Sequence, residues 1–424
     1  MSEPPDALDG PRADAETALV RLVRDEGRIV LATLIRTLGS LDLAEDAVQE
    51  AVVRALETWP SRGLPASPRA WLTTTARNWA IDRIRREGAR GPKEEEAVRL
   101  AGRLDGSADD ALPPDSVVRD DQLRLVFTCC HPALSLDAQV ALSLRTLCGL
   151  TTAEVARALV VSEATMTKRL TRARQKIALA GIPYRVPPDH ELPARLAAVT
   201  TTVYLVFNEG YSATAGEDHV RLELADEALR LARLLHELLP DEPSVMGLHA
   251  LILLQHSRRA ARLDAAGDVV LLADQDRARW DRAMITEGVT LVGEGLRRTP
   301  ERPDPFVVQA AIAVCHALAP SYRSTDWDAI ISWYDVLLSV QDTPVVRLNR
   351  AVAVGERDGP ETALGLIDEL DALAGYAPWH ASRAELLDRA GRPVEAAEAR
   401  AAALALPMSD AQRRFLRRAR TDGD

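Results

Sequence analysis

The chain has 424 residues, of which 47% are hydrophobic and 27% are charged, so it is long enough for two or three domains with buried cores. Residues 1–185 carry 26 basic and 26 acidic side chains, which places the whole net charge of −11 on residues 186–424. Any nucleic acid would therefore bind to local patches of the first half. The four cysteines are too few for a disulfide framework, and neither a signal-peptide core nor an apolar run of about 20 residues occurs. Together with the abundance of Ala, Leu and Arg, this predicts an all-α cytoplasmic protein with reduced thiols and no membrane contact.

The first charged helix is predicted over residues 41–60, which contain five acidic side chains and one Arg. Asp42 and Glu45 have the spacing of a capping box at its start, and Trp59-Pro60 is predicted to end it. The apolar positions recur at helical spacing. Such a helix could dock on a basic protein partner, although the pattern by itself fits a solvent-exposed helix face equally well.

The next helix is predicted to begin at Ser67-Pro68, because Ser caps helices and Pro fits the first turn. Residues 68–90 carry six Arg against two acidic side chains, and Trp71 and Trp79 stand among the arginines. Rings and guanidinium groups together suit unstacked bases and their phosphates. Taken alone, a helix with buried tryptophans and a charged end explains the pattern as well.

A linker is predicted over residues 91–116, which are polar and rich in Gly and Pro. Residues 149–177 of the helical block that follows have the pattern of a helix-turn-helix. Thr151 and Glu154 are spaced as a capping box, and Ser162 is placed to cap the second helix. Helical spacing predicts two opposite faces for that helix. The apolar face contains Met166, Leu170, Ala173 and Ile177. The basic face, which could enter a DNA groove, contains Lys168, Arg169, Arg172, Arg174, Gln175 and Lys176.

The C-terminal part is predicted to begin near residue 187, after a cluster of prolines, and to be helical from about 192 to 417. The segment starting at Arg350 resembles the segment starting at Arg383 at an offset of 33 residues. This is close to the period of about 34 that characterises tetratricopeptide repeats. Stacked helical hairpins are therefore expected, with an ordinary helical domain as the alternative.

An aromatic segment, VYLVFNEGYSAT at 203–214, raises the question of an active centre around Glu209. Tyr204, Phe207 and Tyr211 have helical spacing, and Gly210 is a typical helix stop, so we interpret the segment as packing at a helix end. Asn208 and Glu209 would then brace that end.

Metal and nucleophile signals are weak. Cys129-Cys130-His131 has no second ligand pair near it, so buried thiols at a helix end are expected, without a metal or cofactor. Cys148 and Cys315 are interpreted as core residues. The histidines at 249, 256 and 316 are interpreted as satisfied core side chains.

The order of these elements resembles one family. DLAEDAVQEAVVRALETWP is similar to the helix by which sigma factors of the sigma-70 family dock on core polymerase. PRAWLTTTARNWAIDRIRR resembles their promoter-melting segment, and GLTTAEVARALVVSEATMTKRLTRARQKI resembles their −35-reading domain. The small extracytoplasmic-function class, group IV, fits best. FTCCHPALS, AGIPYRVP, VYLVFNEGYSAT, DQDRARWD and LNRAVAV are similar to a subgroup with a large C-terminal helical extension, thought to influence activity in place of an anti-sigma factor.

The resemblance implies roles for individual residues. Contact with the β′ subunit of RNA polymerase core is implied for Asp46, Gln49 and Glu50. Contact with the −10 element is implied for Trp71, Arg77, Asn78, Trp79, Asp82, Arg83 and Arg86. Contact with the −35 element is implied for Thr165, Thr167, Lys168, Arg169 and Arg172. The hallmark of the extension is Asn208, Glu209, Gly210 and Tyr211, where Glu209 is expected to contact the sigma domains. The turn of the helix-turn-helix departs from the family's pattern, because Val160 occupies a position where many members have Gly.

The resemblance implies a factor that directs polymerase to promoters and performs no catalysis. Its expected parts are sigma region 2 at 12–90, the linker at 91–116, sigma region 4 at 117–186, and a tetratricopeptide-like regulatory domain at 187–424 with an unknown protein or peptide partner. The sequence leaves two alternatives open. One is a one-component helix-turn-helix regulator with a ligand-binding helical domain, which leaves residues 41–90 without a purpose. The other is an enzyme centred on Glu209.

Overall fold

The computed structural model describes residues 22, 26–27, 29–38, 40–88, 115–159, 161–182, 184–188, 190–211, 222–265, 267–406, 408 and 410–418. Apart from an isolated antiparallel bridge between Leu263 and Val269, regular structure in these ranges is helical, which confirms the all-α prediction. None of the described helices is long and apolar enough to cross a bilayer. The expected linker at 91–116 lies almost wholly outside the described ranges.

The chain divides into two units, each with its own core. The first unit comprises residues 1–157 and 161–199, and the second comprises 158–160 and 200–424. The helices up to the division are α1 (29–38), α2 (Leu41–Arg62), α3 (Pro68–Gly88), α4 (Asp115–Cys129), α5 (Leu136–Leu142), α6 (Thr152–Ala158), α7 (Glu163–Leu179) and α8 (Leu192–Tyr211), which contains the division point. A π-helical turn, Ser143–Leu147, continues α5.

The ends of α2 differ from the sequence prediction. Its N-cap is Ser40, whose side chain accepts a hydrogen bond from the Leu43 amide, so the predicted Asp42–Glu45 capping box is wrong. Its C-terminus lies beyond Pro60, at Gly63, which adopts a φ of 83° and donates its amide to the Trp59 carbonyl. Proline is tolerated there because it costs only one hydrogen bond in the last turn, where a left-handed glycine then stops the helix. By contrast, the predicted Ser67 cap is confirmed by a 3.3 Å bond from the Ala70 amide.

The predicted thiols at a helix end are confirmed. Cys129 closes α4, and it is fully buried together with Cys130 and Cys148. Burial, followed by the neighbouring Cys130, raises the pKa of the Cys129 thiol well above its ordinary value. Cys315 is partly buried and packs against a core cluster that contains Val308 and Ile312, so it lies at the edge of a core.

The second unit continues with α9 (Leu222–Leu238), α10 (Pro243–His256), α11 (Arg282–Arg298), α12 (Pro305–Leu318), α13 (Trp327–Val340), α14 (Pro344–Asp358), α15 (Pro360–Ile367), α16 (Ala377–Arg389), α17 (Pro393–Leu404) and α18 (Asp410–Arg418). Residues 257–281 between α10 and α11 are mostly irregular, with two short 3₁₀ turns.

The last six of these helices form three hairpins of one period. The first helices of the hairpins begin at 327, 360 and 393, and the second helices begin at 344, 377 and 410, a step of 33 residues each time. Ion pairs recur with the same step: Arg350 bonds Asp335 and Arg383 bonds Asp368, both at 2.7 Å. The repeat found in the sequence is therefore structural, and the array contains a third hairpin that the sequence comparison did not detect.

Gly210 plays a different part from the one predicted. It lies inside α8, which continues to Tyr211, and it is not among the glycines with positive φ. A Cβ built on it would lie 2.4 Å from the Ala225 amide nitrogen of α9. Glycine is therefore needed for a close helix crossing and not for a helix stop.

Candidate nucleic-acid interface

The helix-turn-helix is built by the caps that its sequence predicts. The Thr151 amide donates to the Glu154 carboxylate at 2.6 Å, and the Glu154 amide donates to the Thr151 hydroxyl at 3.2 Å, which completes the capping box. Ser162 caps α7 by accepting from the Thr165 amide at 3.2 Å. The first helix of the pair, α6, ends at Ala158. Val160 in the turn lies outside the described residues.

The two faces of α7 differ as predicted. Met166, Leu170 and Ala173 are at most 3% exposed and anchor the helix in the core of the first unit. Ile177 is only partly buried. The opposite face presents side chains that can bond phosphates or base edges. Of the candidate −35 residues, those that are exposed are Thr165, Thr167, Lys168 and Arg172.

A basic groove runs beside this face, with a volume of about 390 Å³. The Asp137 carboxylate lies 3.5 Å from the Arg169 guanidinium beside this groove, so Arg169 has an ion-pair partner there. The residues lining the groove are Leu134, Ser135, Ala138, Thr165, Lys168, Arg169, Arg172, Ala173 and Lys176.

The arginine- and tryptophan-rich helix α3 presents a mixed surface. Leu72, Ala76 and Ala80 are fully buried and define its inner face. Trp71 packs edge-on against Trp59, with ring centroids 5.3 Å apart, so its ring already has a protein partner. The candidate −10 residues on the outer side are exposed at Asn78, Asp82 and Arg86 and partly exposed at Arg77, Trp79 and Arg83.

Arg83 links two of the predicted surfaces. Its guanidinium lies 5.3 Å from the centroid of the Trp79 ring and 3.6 Å from the Asp46 carboxylate of α2. The candidate polymerase-binding side chains are therefore adjacent to the candidate −10 surface. Of these, Asp46 and Gln49 are exposed, and Glu50 pairs with Arg54 at 2.9 Å.

The structure also assigns importance to residues that sequence reasoning missed. Glu45 is 7% exposed, and its carboxylate accepts hydrogen bonds from Thr146 and Arg174, which are 101 and 129 residues away. The acidic spacing along α2 predicts a cap or a solvent-exposed face for Glu45, and both predictions are wrong because its carboxylate is buried. No sequence signal connects residues so far apart, because their proximity depends on how the helices pack.

The aromatic side chains of α8 pack within the second unit. Tyr204 packs edge-on against Phe306 at 5.4 Å, and Phe207 stacks on Tyr211 at 5.3 Å. Arg262 lies over the Tyr211 ring, 3.4 Å from its centroid. The packing interpretation is confirmed, whereas the expected contacts of Glu209 with the sigma domains stay a prediction.

Comparisons with known proteins agree with the two-part organisation. The family described as Sigma-70 region 2 matches residues 22–90, and the one described as Sigma-70, region 4 matches residues 124–177. A family of unknown function, DUF6596, matches residues 195–296.

Similar proteins cover either the first part or nearly the whole chain. The ECF RNA polymerase sigma factor SigL of Mycobacterium tuberculosis is 32% identical over 173 residues, which cover 39% of this chain and 91% of SigL. SigG of the same organism is 31% identical over 166 residues, covering 35% of this chain and 45% of SigG. An uncharacterized protein of Rhizobium meliloti is 47% identical over 397 residues and 91% of both chains.

Proposed function

The chain belongs to the extracytoplasmic-function sigma factors of the sigma-70 family and acts as an alternative sigma factor in transcription initiation; we propose which of its surfaces performs each part of that task. Sigma factors bind polymerase core and promoter DNA, and the polymerase performs the chemistry.

The −35 element is bound by the outer face of α7. The observation that carries this assignment is the division of α7 into a buried apolar face and an exposed basic face beside a basic groove. Lys168 and Arg172 are exposed and project from that face. They reach phosphates or guanine edges in the major groove.

The −10 element is bound by the outer face of α3. Trp79 is partly exposed and is bordered by Asn78 and Arg83. A ring beside a guanidinium and an amide suits an unstacked base. Trp71 contributes through its packing on Trp59, which supports α3 at its N-terminal end.

The β′ subunit of core polymerase is bound by the acidic side of α2, through Asp46, Gln49 and Glu50. Two of these side chains are exposed, and the third makes only a surface ion pair. Surface ion pairs contribute little to stability, so these groups remain available to a basic protein surface.

The C-terminal unit modulates this activity by binding a protein or peptide partner. Support comes from the three-hairpin array at 327–418, because stacked helical repeats form extended surfaces that suit such partners. The similarity to the Rhizobium relative covers 91% of this chain and therefore extends into the C-terminal unit.

Run-off transcription with purified core polymerase tests the −35 assignment. Lys168→Ala or Arg172→Ala removes a DNA contact and is expected to lower −35-dependent transcription about 5- to 150-fold, the equivalent of ~1–3 kcal/mol. Arg297→Ala, which removes an exposed arginine from α11 outside the proposed DNA-binding surfaces, is the matched control and keeps wild-type transcription.

Binding to core is measured on the same variants by co-purification. It is expected to be unchanged, since α7 lies outside the proposed polymerase-binding surface. Equal loss of core binding and transcription would contradict the assignment of α7, as would full transcription by both alanine variants.

A further inference from the structure

Two segments that the proposed function leaves without a role come together in the second unit. Tyr211 is the last residue of α8, and Trp280 belongs to the DQDRARWD segment at 274–281. The Arg258 guanidinium connects them, because it donates to the Tyr211 hydroxyl at 2.5 Å and lies 5.8 Å from the centroid of the Trp280 ring. Residues from separate parts of the chain therefore share one contact region.

Two further arginines pack on the same two rings. The Arg262 guanidinium lies 3.4 Å from the centroid of the Tyr211 ring, and the Arg277 guanidinium lies 4.4 Å from that of the Trp280 ring. A guanidinium is attracted to the electron-rich face of an aromatic ring, so the two rings hold these cations close together. We call Arg258, Arg262 and Arg277 the arginine cluster.

The arginine cluster has no carboxylate partner among the described residues. The acidic Asp281 of the same segment pairs instead with the neighbouring Arg259, at 3.6 Å. The hydrogen-bond acceptors of the cluster are uncharged; they are the Gln255 side-chain oxygen, the Tyr211 hydroxyl and carbonyl, and the carbonyls of His316 and Ala319. These acceptors satisfy several N–H groups, but they do not neutralise the positive charge.

The cluster is partly removed from water, which strengthens the effect of its charge. Arg262 is 9% exposed, and burial lowers its pKa, with Arg258 acting in the same direction. Burial, followed by Arg258, also lowers the pKa of Arg277. The Nη2 atom of Arg277 and the Nε1 atom of Trp280 are buried and have no hydrogen-bond partner among the described residues. Since buried charges and donors are costly without partners, the cluster favours an anionic acceptor.

We propose that the arginine cluster binds a phosphate group, either free in solution or carried by a small phosphorylated molecule. Guanidinium groups are planar forks that bond two oxygens at once, and the several oxygens of a phosphate can accept from more than one fork. A carboxylate, with only two oxygens, suits a single arginine. Arg258 and Arg277 are partly exposed, so a ligand can reach them from solvent. The proposed DNA- and polymerase-binding residues all belong to the first unit, so this site is tested independently of them.

Isothermal titration calorimetry on the full chain, near neutral pH, measures binding of inorganic phosphate, adenosine monophosphate and acetate. Sodium chloride keeps the ionic strength equal in every titration, because screening alone changes surface electrostatics. Inorganic phosphate or adenosine monophosphate is expected to bind saturably, with a Kd below about 1 mM. The ligand that binds should also raise the midpoint of thermal unfolding, since it binds the folded state. Acetate is expected to bind at least about tenfold more weakly.

Arg277→Gln removes one charge of the cluster and is expected to weaken phosphate binding about 10- to 100-fold, because charge-assisted hydrogen bonds are lost. Arg279→Gln is the matched control, since Arg279 is an exposed arginine of the same short turn, and its affinity should stay that of wild type. Arg277→Lys keeps the charge but loses the fork, so it should weaken binding by less. This second variant keeps the test decisive if Arg277→Gln does not fold.

The outcomes separate the two sources of the phosphate group. Tighter binding of adenosine monophosphate assigns the site to a phosphorylated small molecule, and tighter binding of inorganic phosphate assigns it to the free ion. The proposal is overturned if neither ligand binds, if acetate binds as tightly as phosphate, or if the folded Arg277 variants keep the affinity of wild type.

Discussion

His249 shows how folding sets the chemistry of a single side chain. It is 2% exposed on α10, and neither ring nitrogen has a hydrogen-bond partner among the described residues. Burial, His236 and Arg233 lower its pKa to about 3, and the nearest carboxylate, Glu287, lies 3.9 Å away. The interpretation as a satisfied core histidine is therefore wrong, whereas His256 is satisfied by Asp226 at 2.8 Å.

Acid is expected to destabilise the protein through His249. Its pKa is about 6.5 in the unfolded chain and about 3 in the fold, so between these values the unfolded state binds the extra proton. The stabilisation is complete above pH 6.5 and is lost as the pH falls toward 3. His249→Phe should reduce the slope of unfolding free energy between pH 6 and 4 by up to about 1.4 kcal/mol per pH unit.

Chemical denaturation at a series of pH values checks this. His190→Gln is the control, because the His190 side chain is 79% exposed and its replacement should leave the slope unchanged. His316, whose pKa is lowered to about 4 by burial, Arg258 and Arg277, contributes with the same sign and is retained in both variants. An identical slope in wild type and His249→Phe would contradict the prediction.

The crossing of α8 and α9 depends on Gly210. A β-carbon there would meet the Ala225 amide nitrogen at 2.4 Å and the Leu224 carbonyl carbon at 2.9 Å. Backbone atoms cannot move aside as a flexible side chain can, so the two helices would have to separate. The same requirement explains why a glycine interrupts an aromatic segment without ending the helix.

Gly210→Ala is expected to lower the free energy of unfolding by about 1–3 kcal/mol through this overlap. Gly365→Ala, also in a helix, is the matched control, because a β-carbon there has no neighbour within 4 Å. It should stabilise the chain by about 0.4–1 kcal/mol, since alanine restricts the unfolded chain. Denaturation followed by circular dichroism distinguishes the two; a neutral Gly210→Ala would mean that the crossing tolerates a side chain.

The hairpin array shows what sequence similarity detects in a repeat. The copies starting at Arg350 and Arg383 share Arg, Pro and small residues because the same ion pair and helix starts recur. The third copy, which ends in α18 beginning at Asp410, preserves the helix positions and a small core of Ala403, Met408 and Leu416 but few identities. Helix packing constrains size and burial more than residue identity, so this copy became visible only in the fold.

At the level of the whole chain, the C-terminal unit is expected to change transcriptional output. The sequence placed its start near 187, but Arg195 and Leu196 are at most 9% exposed, and Arg195 donates to the Phe127 carbonyl within the first unit. A truncation should therefore retain residues 1–199, where the division of the chain falls.

Run-off transcription with core polymerase compares the full chain with this 1–199 fragment. The fragment is expected to bind core as the full chain does, because the proposed docking surface lies on α2, and to give a different transcript level. Equal output at equal core binding, in the test tube and in cells, would contradict the regulatory role proposed for the C-terminal unit.

The sequence by itself determined the local structure and the family. Short-range patterns in the sequence predict the caps at Ser67, Thr151 and Ser162, the apolar and basic faces of α7, and the order of the charged helices. The fold keeps the caps because backbone amides need hydrogen-bond partners wherever a helix begins. Only the tertiary structure decided that Glu45 meets Arg174, that Gly210 belongs to a crossing, and that His249 is buried without a hydrogen-bond partner among the described residues. Each of these three environments is formed by groups from distant parts of the chain. Burial there makes an ordinary polar or small residue difficult to substitute.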